Sequence, residues 1–112
     1  MHEFAQKTDV PVIIIDAEGE IIFINQKFTE IYLFTEADLI GHQVTEIIPH
    51  EFRDAHNMGF SRYITSKQSQ VMNQALNLKI LKKDQTVVDA LHFITASEDH
   101  DGLQIGATIT LI

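Results

Sequence analysis

Residues 87–96 constrain the fold more than any other part of the chain. They read Val-Val-Asp-Ala-Leu-His-Phe-Ile-Thr-Ala, a β-branched and aromatic run typical of a strand. In a strand alternate side chains point to opposite faces. Val88, Ala90, His92 and Ile94 then share one face, and Val87, Leu91 and Phe93 share the other. A strand that is apolar on both faces needs two covers. Helices of the same chain can supply one. The N-terminal arm or a second subunit must supply the other.

The rest of the pattern arranges itself around that strand. Met1–Thr8 reads as a short arm or helix with Phe4 as its one large apolar residue. Val10–Asp16 and Ile21–Ile24 are β-branched runs, and Gly19 between them suits a hairpin turn. Asn25 fits a helix N-cap, followed by Phe28, Ile31 and Tyr32 at helical spacing. Thr35 and Asp38 form a capping-box pair for a second short helix, which Gly41 ends. Val44–Ile48 is a further apolar piece stopped by Pro49, and a longer helix runs from there to about Lys67. Val71–Lys82 reads as a strand, with Met72, Leu76, Leu78 and Ile80 on one face together with Gln74. A polar turn at 82–85, the strand at 87–96, a polar loop over Ser97–Gly102 and a last strand over Leu103–Ile112 complete the order. Two strands, a block of helices and a three-strand meander make an α+β domain: a five-stranded antiparallel sheet covered on one face. Its 112 residues suit one domain, 9–112, behind the arm 1–8.

Composition excludes several functions. With no cysteine there is no disulfide, zinc–thiolate site or thiol nucleophile. A net charge of −8, with Lys and Arg scattered, argues against a nucleic-acid partner. No segment has the length of a membrane span or the apolar core of a signal peptide, so the chain is expected to be cytoplasmic. No catalytic residues can be assigned, because neither a nucleophile elbow nor a phosphate-binding glycine loop is present. The acidic loop Glu98-Asp99-His100-Asp101 is expected to be a solvated hairpin, and Phe4, Leu91 and Phe93 to form a docking surface for a second copy.

The candidate site lies on the longer helix. At about 100° per residue, Phe52, His56, Gly59, Phe60 and Tyr63 fall on one apolar arc. A histidine there is either a core residue satisfied by one hydrogen bond or a ligand aimed into a pocket. Met72, Leu76, Leu78 and His92 are expected to line that pocket from the sheet. His92 itself reads first as a partly buried strand histidine. The other four histidines occupy polar or terminal contexts with no metal-ligand spacing.

The element order resembles a PAS domain, a bacterial sensory module. The residues that carry the resemblance are Val12-Ile-Ile-Ile-Asp16 with Gly19, Ile24-Asn25, Asp38-Leu-Ile-Gly41, Lys82-Lys-Asp84 and Ile105-Gly106. Leu33 departs from the glycine that many members carry between the first two helices. The resemblance implies a small-molecule pocket between helices and sheet, a homodimer, and an effector domain elsewhere in a larger signalling protein. Locally, Pro49, Arg53, His56 and Tyr63 are similar to the heme-binding PAS domains of rhizobial oxygen-sensing histidine kinases. Pro49, Arg53, Ala55 and His56 match the direct oxygen-sensing phosphodiesterases. That resemblance implies heme b with His56 as axial ligand, and no other metal. It also places Leu76 where those sensors carry an oxygen-contacting arginine, which implies poor oxygen retention.

Overall fold

The computed structural model describes residues 1–112. Strands β1 (Val12–Asp16) and β2 (Ile21–Ile24) form the first hairpin. Its turn is fixed by Gly19 at φ +79°, and by Asp16 Oδ1, which accepts from the Glu18 and Glu20 amides at 2.9 and 3.0 Å. Asn25 links this hairpin to α1 (Gln26–Tyr32). Its Oδ1 accepts from Phe28 and Val12, both at 3.0 Å, while Nδ2 donates to Val10 and Lys7 carbonyls. Leu33 ends α1 in the left-handed region at φ +75°. Then α2 (Glu36–Leu39) follows behind a complete Thr35–Asp38 capping box.

Two 3-10 turns, Val44–Ile47 and His50–Phe52, lead into α3 (Arg53–Ser66), which Lys67 closes at φ +59°. The meander is β3 (Ala75–Leu81), β4 (Val87–Asp99) and β5 (Gly102–Leu111). All pairings in the sheet are antiparallel, and its order is β2-β1-β5-β4-β3. The two ends of the chain therefore meet at the sheet's centre. Ile13, Ile15, Ile105, Ala107 and Ile109 face the helical layer there and pack with Phe28, Tyr32, Leu39 and Ile47. The Tyr32 hydroxyl donates to the Ile109 carbonyl at 2.7 Å, a polar tie from helix to sheet through this core.

Two strand boundaries differ from the expected ones. Residues 71–74 are not strand. Asn73 sits at φ +61° and its amide donates to the Ile94 carbonyl at 2.7 Å, so the chain turns there and only Met72 makes a bridge, to Ile94. The polar loop is shorter than Ser97–Gly102. Pairing continues to Asp99↔Gly102, because Gly102 takes φ +92° and closes the hairpin around His100 and Asp101.

The arm also behaves differently from expectation. Glu3–Gln6 is a 3-10 turn laid on the outer face of the sheet. Phe4 is buried against Val12 and Ile14, so it belongs to the arm's own seat and not to a docking surface with Leu91 and Phe93. His2 is not in a polar, terminal setting. Only 1% of it is exposed, and its ring lies directly on Gly106. Phe4 N–H donates to Nδ1, so the ring proton is on Nε2, which donates to the Thr95 carbonyl at 3.1 Å. The arm covers β1 and β5. Val87, Leu91 and Phe93 on the outer face of β4 stay exposed at 45, 43 and 37%.

Candidate functional site

The 14-residue α3 contains no buried residue. It stands away from the sheet and leaves a cleft of about 660 Å³ between them, within the range of small-molecule sites. Pro49 ends the preceding turn in an extended conformation, and Arg53 Nε donates to the Ile48 carbonyl at 2.9 Å, which sets the direction of the helix. At its far end the Lys67 ammonium lies 5.4 Å from the Tyr63 ring centre. Phe60, Tyr63 and Ile64 pack against the core but stay only partly buried.

The expected site residues largely converge. Phe52, His56, Phe60 and Tyr63 line the cleft from α3 and the turn before it, and Met72, Leu78 and His92 line it from the other side. Leu76 does not line it. It is the register partner of His92 at the start of β3, and the cleft wall there is built instead by Ser69, Val71 and Met72 of the turning segment. The pattern reading missed the floor of the cleft, which is Ile13 and Ile15 of β1 and Ile105, Ala107 and Ile109 of β5. The inward phase of those two strands carried that signal.

The two cleft histidines differ. His56 stacks on Phe60 at 6.0 Å between ring centres, and its Nδ1 is buried with no hydrogen-bond partner. It is therefore not the satisfied core histidine of the simpler sequence reading. His92 is buried, with Nδ1 3.0 Å from the Ala90 carbonyl. Burial pushes the pKa of each imidazole below the usual histidine value, and it outweighs Asn57 beside His56 and the Ala90 carbonyl at His92. Both rings are thus neutral near pH 7. The two charged residues that border the cleft, Lys79 and Asp89, pair with each other at 2.7 Å. The result is an open, apolar, uncharged cleft with two neutral imidazoles in its walls. No cluster of three or more metal-ligating side chains exists, and no helix is long and apolar enough to cross a membrane.

Residues 9–111 match the family model of the PAS domain, so the chain belongs to the PAS family, whose members are typically sensory, non-catalytic signalling modules. An uncharacterized protein of Azorhizobium caulinodans is 31% identical over 80 residues, covering 70% of this chain but 11% of that protein. The chain thus spans a small part of the relative's length. Among solved structures, it is similar to the PAS domain of a Desulfitobacterium hafniense protein, with a TM-score of 0.73, 17% identity and full coverage of both chains. It is also similar to the PAS domain of an HTR-like protein from Haloarcula marismortui, with a TM-score of 0.71, 14% identity, and coverage of 97% of this chain and 91% of that one. These structural likenesses establish the fold.

Proposed function

We propose that this PAS domain is a cytoplasmic sensory and dimerisation module of a bacterial signalling protein, that a small ligand occupies the cleft between α3 and the sheet, and that occupancy is relayed to an effector domain of the parent protein. One observation carries the reading: a 660 Å³ apolar cleft lies under a helix that buries none of its residues. Apolar walls left open to water are unfavourable at about 25 cal/mol per Å². A ligand that fills the cleft removes that cost only when α3 closes on it, so it binds the closed state better and shifts the population toward it. The floor of the cleft is β1 and β5, so closure acts directly on the strands at the sheet's centre. The exposed Val87, Leu91 and Phe93 support a homodimer through the outer face of β4.

The test uses N-phenyl-1-naphthylamine, a neutral apolar dye that brightens out of water. Wild type should give saturable, one-to-one enhancement. Ala107→Phe, which fills the cleft from its floor, should abolish it. Enhancement that never saturates, or that survives Ala107→Phe, would remove the ligand reading.

A second reading is a heme b gas or redox sensor with His56 as axial ligand. It is supported by a neutral imidazole in an apolar wall. A ligating imidazole also needs a partner for its second ring nitrogen, and His56 Nδ1 has none. The residues present therefore meet only part of what heme requires. Leu76 adds no polar contact, since it does not line the cleft. Hemin titration decides between the readings: a one-to-one Soret band that His56→Ala abolishes would establish heme, and an unsaturable spectrum would exclude it.

A further inference from the structure

The two histidines in the cleft are wired differently, and the difference specifies a ligand. His92 Nδ1 lies 3.0 Å from the Ala90 carbonyl oxygen. A carbonyl oxygen can only accept, so Nδ1 carries the ring proton and Nε2 carries a lone pair. His92 lines the cleft, and its register partners across the sheet are Leu76 and Ile109, neither of which has a side-chain donor. Nε2 is thus an acceptor of fixed tautomer, held on an interior strand, β4, and aligned by the backbone of its own chain. A main-chain carbonyl on one ring nitrogen fixes both the tautomer and the orientation of the ring. His56 lacks this arrangement, because its buried nitrogen has no partner.

We propose that His92 is the residue that selects the ligand, and that the ligand is an uncharged molecule with an apolar, ring-sized body and one hydroxyl or N–H group that donates to His92 Nε2. This inference rests on the cleft being a ligand site. The rest of the cleft supports the same class. Its walls are mainly apolar, with isoleucine the commonest residue, and its one cation and one anion are paired with each other. An anion would find no free positive charge, and burial opposes protonation of either imidazole. A pure hydrocarbon would cover Nε2 without giving it a partner. A site built around a hydrogen bond discriminates against an analogue that cannot make one.

The experiment compares 1-naphthol with 1-methoxynaphthalene, which has the same ring system with the donor capped. Affinities are measured by fluorescence titration for wild type and for His92→Phe. Wild type should bind 1-naphthol about tenfold more tightly, the equivalent of one buried hydrogen bond. His92→Phe should bind the two probes equally. A second readout needs no variant. In a long-range ¹⁵N–¹H spectrum of the wild-type ring, Nδ1 should be protonated and Nε2 bare, and the Nε2 signal should move on adding 1-naphthol but not its methyl ether. Equal, saturable binding of both probes to wild type, or an Nε2 found protonated, overturns the role of His92 and leaves the cleft as a ligand site. If neither probe saturates, both proposals fail.

Discussion

Gly106→Ala tests what holds the N-terminal arm in place. A Cβ at residue 106 would sit 2.8 Å from His2 Cε1 and Nδ1 and 3.0 Å from Nε2. The ring cannot retreat freely. Nε2 is tied to the Thr95 carbonyl, Nδ1 to the Phe4 amide, and the His2 amide to Gln104 Oε1. Displacing the ring breaks the two ring bonds, at about 1 kcal/mol each. Alanine recovers about 0.5–1 kcal/mol over glycine in a strand. The expected net loss is thus about 1–1.5 kcal/mol, more if Phe4 also leaves its seat on Val12 and Ile14. In a His2→Ala background the clash is gone, and the same substitution should stabilise by about 0.5 kcal/mol. The coupling between the two sites is then about 2 kcal/mol, well outside the additivity of independent positions. Urea unfolding of wild type, both single variants and the double variant measures it. Hydrogen exchange locates it: the Ala5 and Lys7 amides, which donate to His2 and Phe4 carbonyls at 3.0 Å, should lose protection in Gly106→Ala while β1 and β5 keep theirs. Additivity within about 0.5 kcal/mol would refute the idea that this close approach positions the arm.

Three further outcomes are expected. Leu91→Glu should shift light scattering from dimer to monomer with the fold intact; a wild-type monomer at high concentration would refute the β4 interface. Leu33→Gly should stabilise by about 0.5–1 kcal/mol in a urea titration, because removing a Cβ from φ +75° relieves about 1–2 kcal/mol and glycine's extra chain entropy returns part of it; unchanged or lower stability would show that the αL turn carries no strain. The Tyr32 hydroxyl, pushed up from 10.0 to about 12 by burial, favours the neutral form in the folded state. Its contribution is complete below pH 10 and is lost as the pH rises from 10 to 12, at about 1.4 kcal/mol per unit. Tyr32→Phe should therefore be less stable at pH 7, where the Ile109 carbonyl loses its donor, yet show a shallower decline in the alkaline range; parallel declines would refute the assignment.

Much of this architecture is written in local patterns. Asn25, the Thr35–Asp38 pair, Gly19 and the inward phase of β1 and β5 each act within a few residues, and each formed as its chemistry dictates. Residues 71–74 misled because Val71 and Met72 look like strand, whereas Asn73 takes a left-handed turn that depends on the Ile94 carbonyl, far along the chain. The six histidines are alike as letters. His2 is distinguished by a glycine on β5, and His92 by the Ala90 carbonyl its ring happens to reach. Hydrophobic spacing names the partner of each face but carries no information on which ring nitrogen is protonated.

The same limit governs the depth of the cleft. Spacing put Phe52, His56, Phe60 and Tyr63 on one face, and all four line the cleft, because periodicity encodes direction. The empty volume depends on how much side chain fills the space between the layers. On the helix wall Gly59 contributes none, and a Cβ built there meets nothing within 4 Å. On the floor Ala107 places a single methyl on the central strand β5, between Ile105 and Ile109. Neither residue puts more than a methyl group into the space between the layers, so that space stays empty where they line it. Part of the cleft volume is thus set by side chains that are absent, and an apolar periodicity scores a missing side chain only as a gap in the pattern.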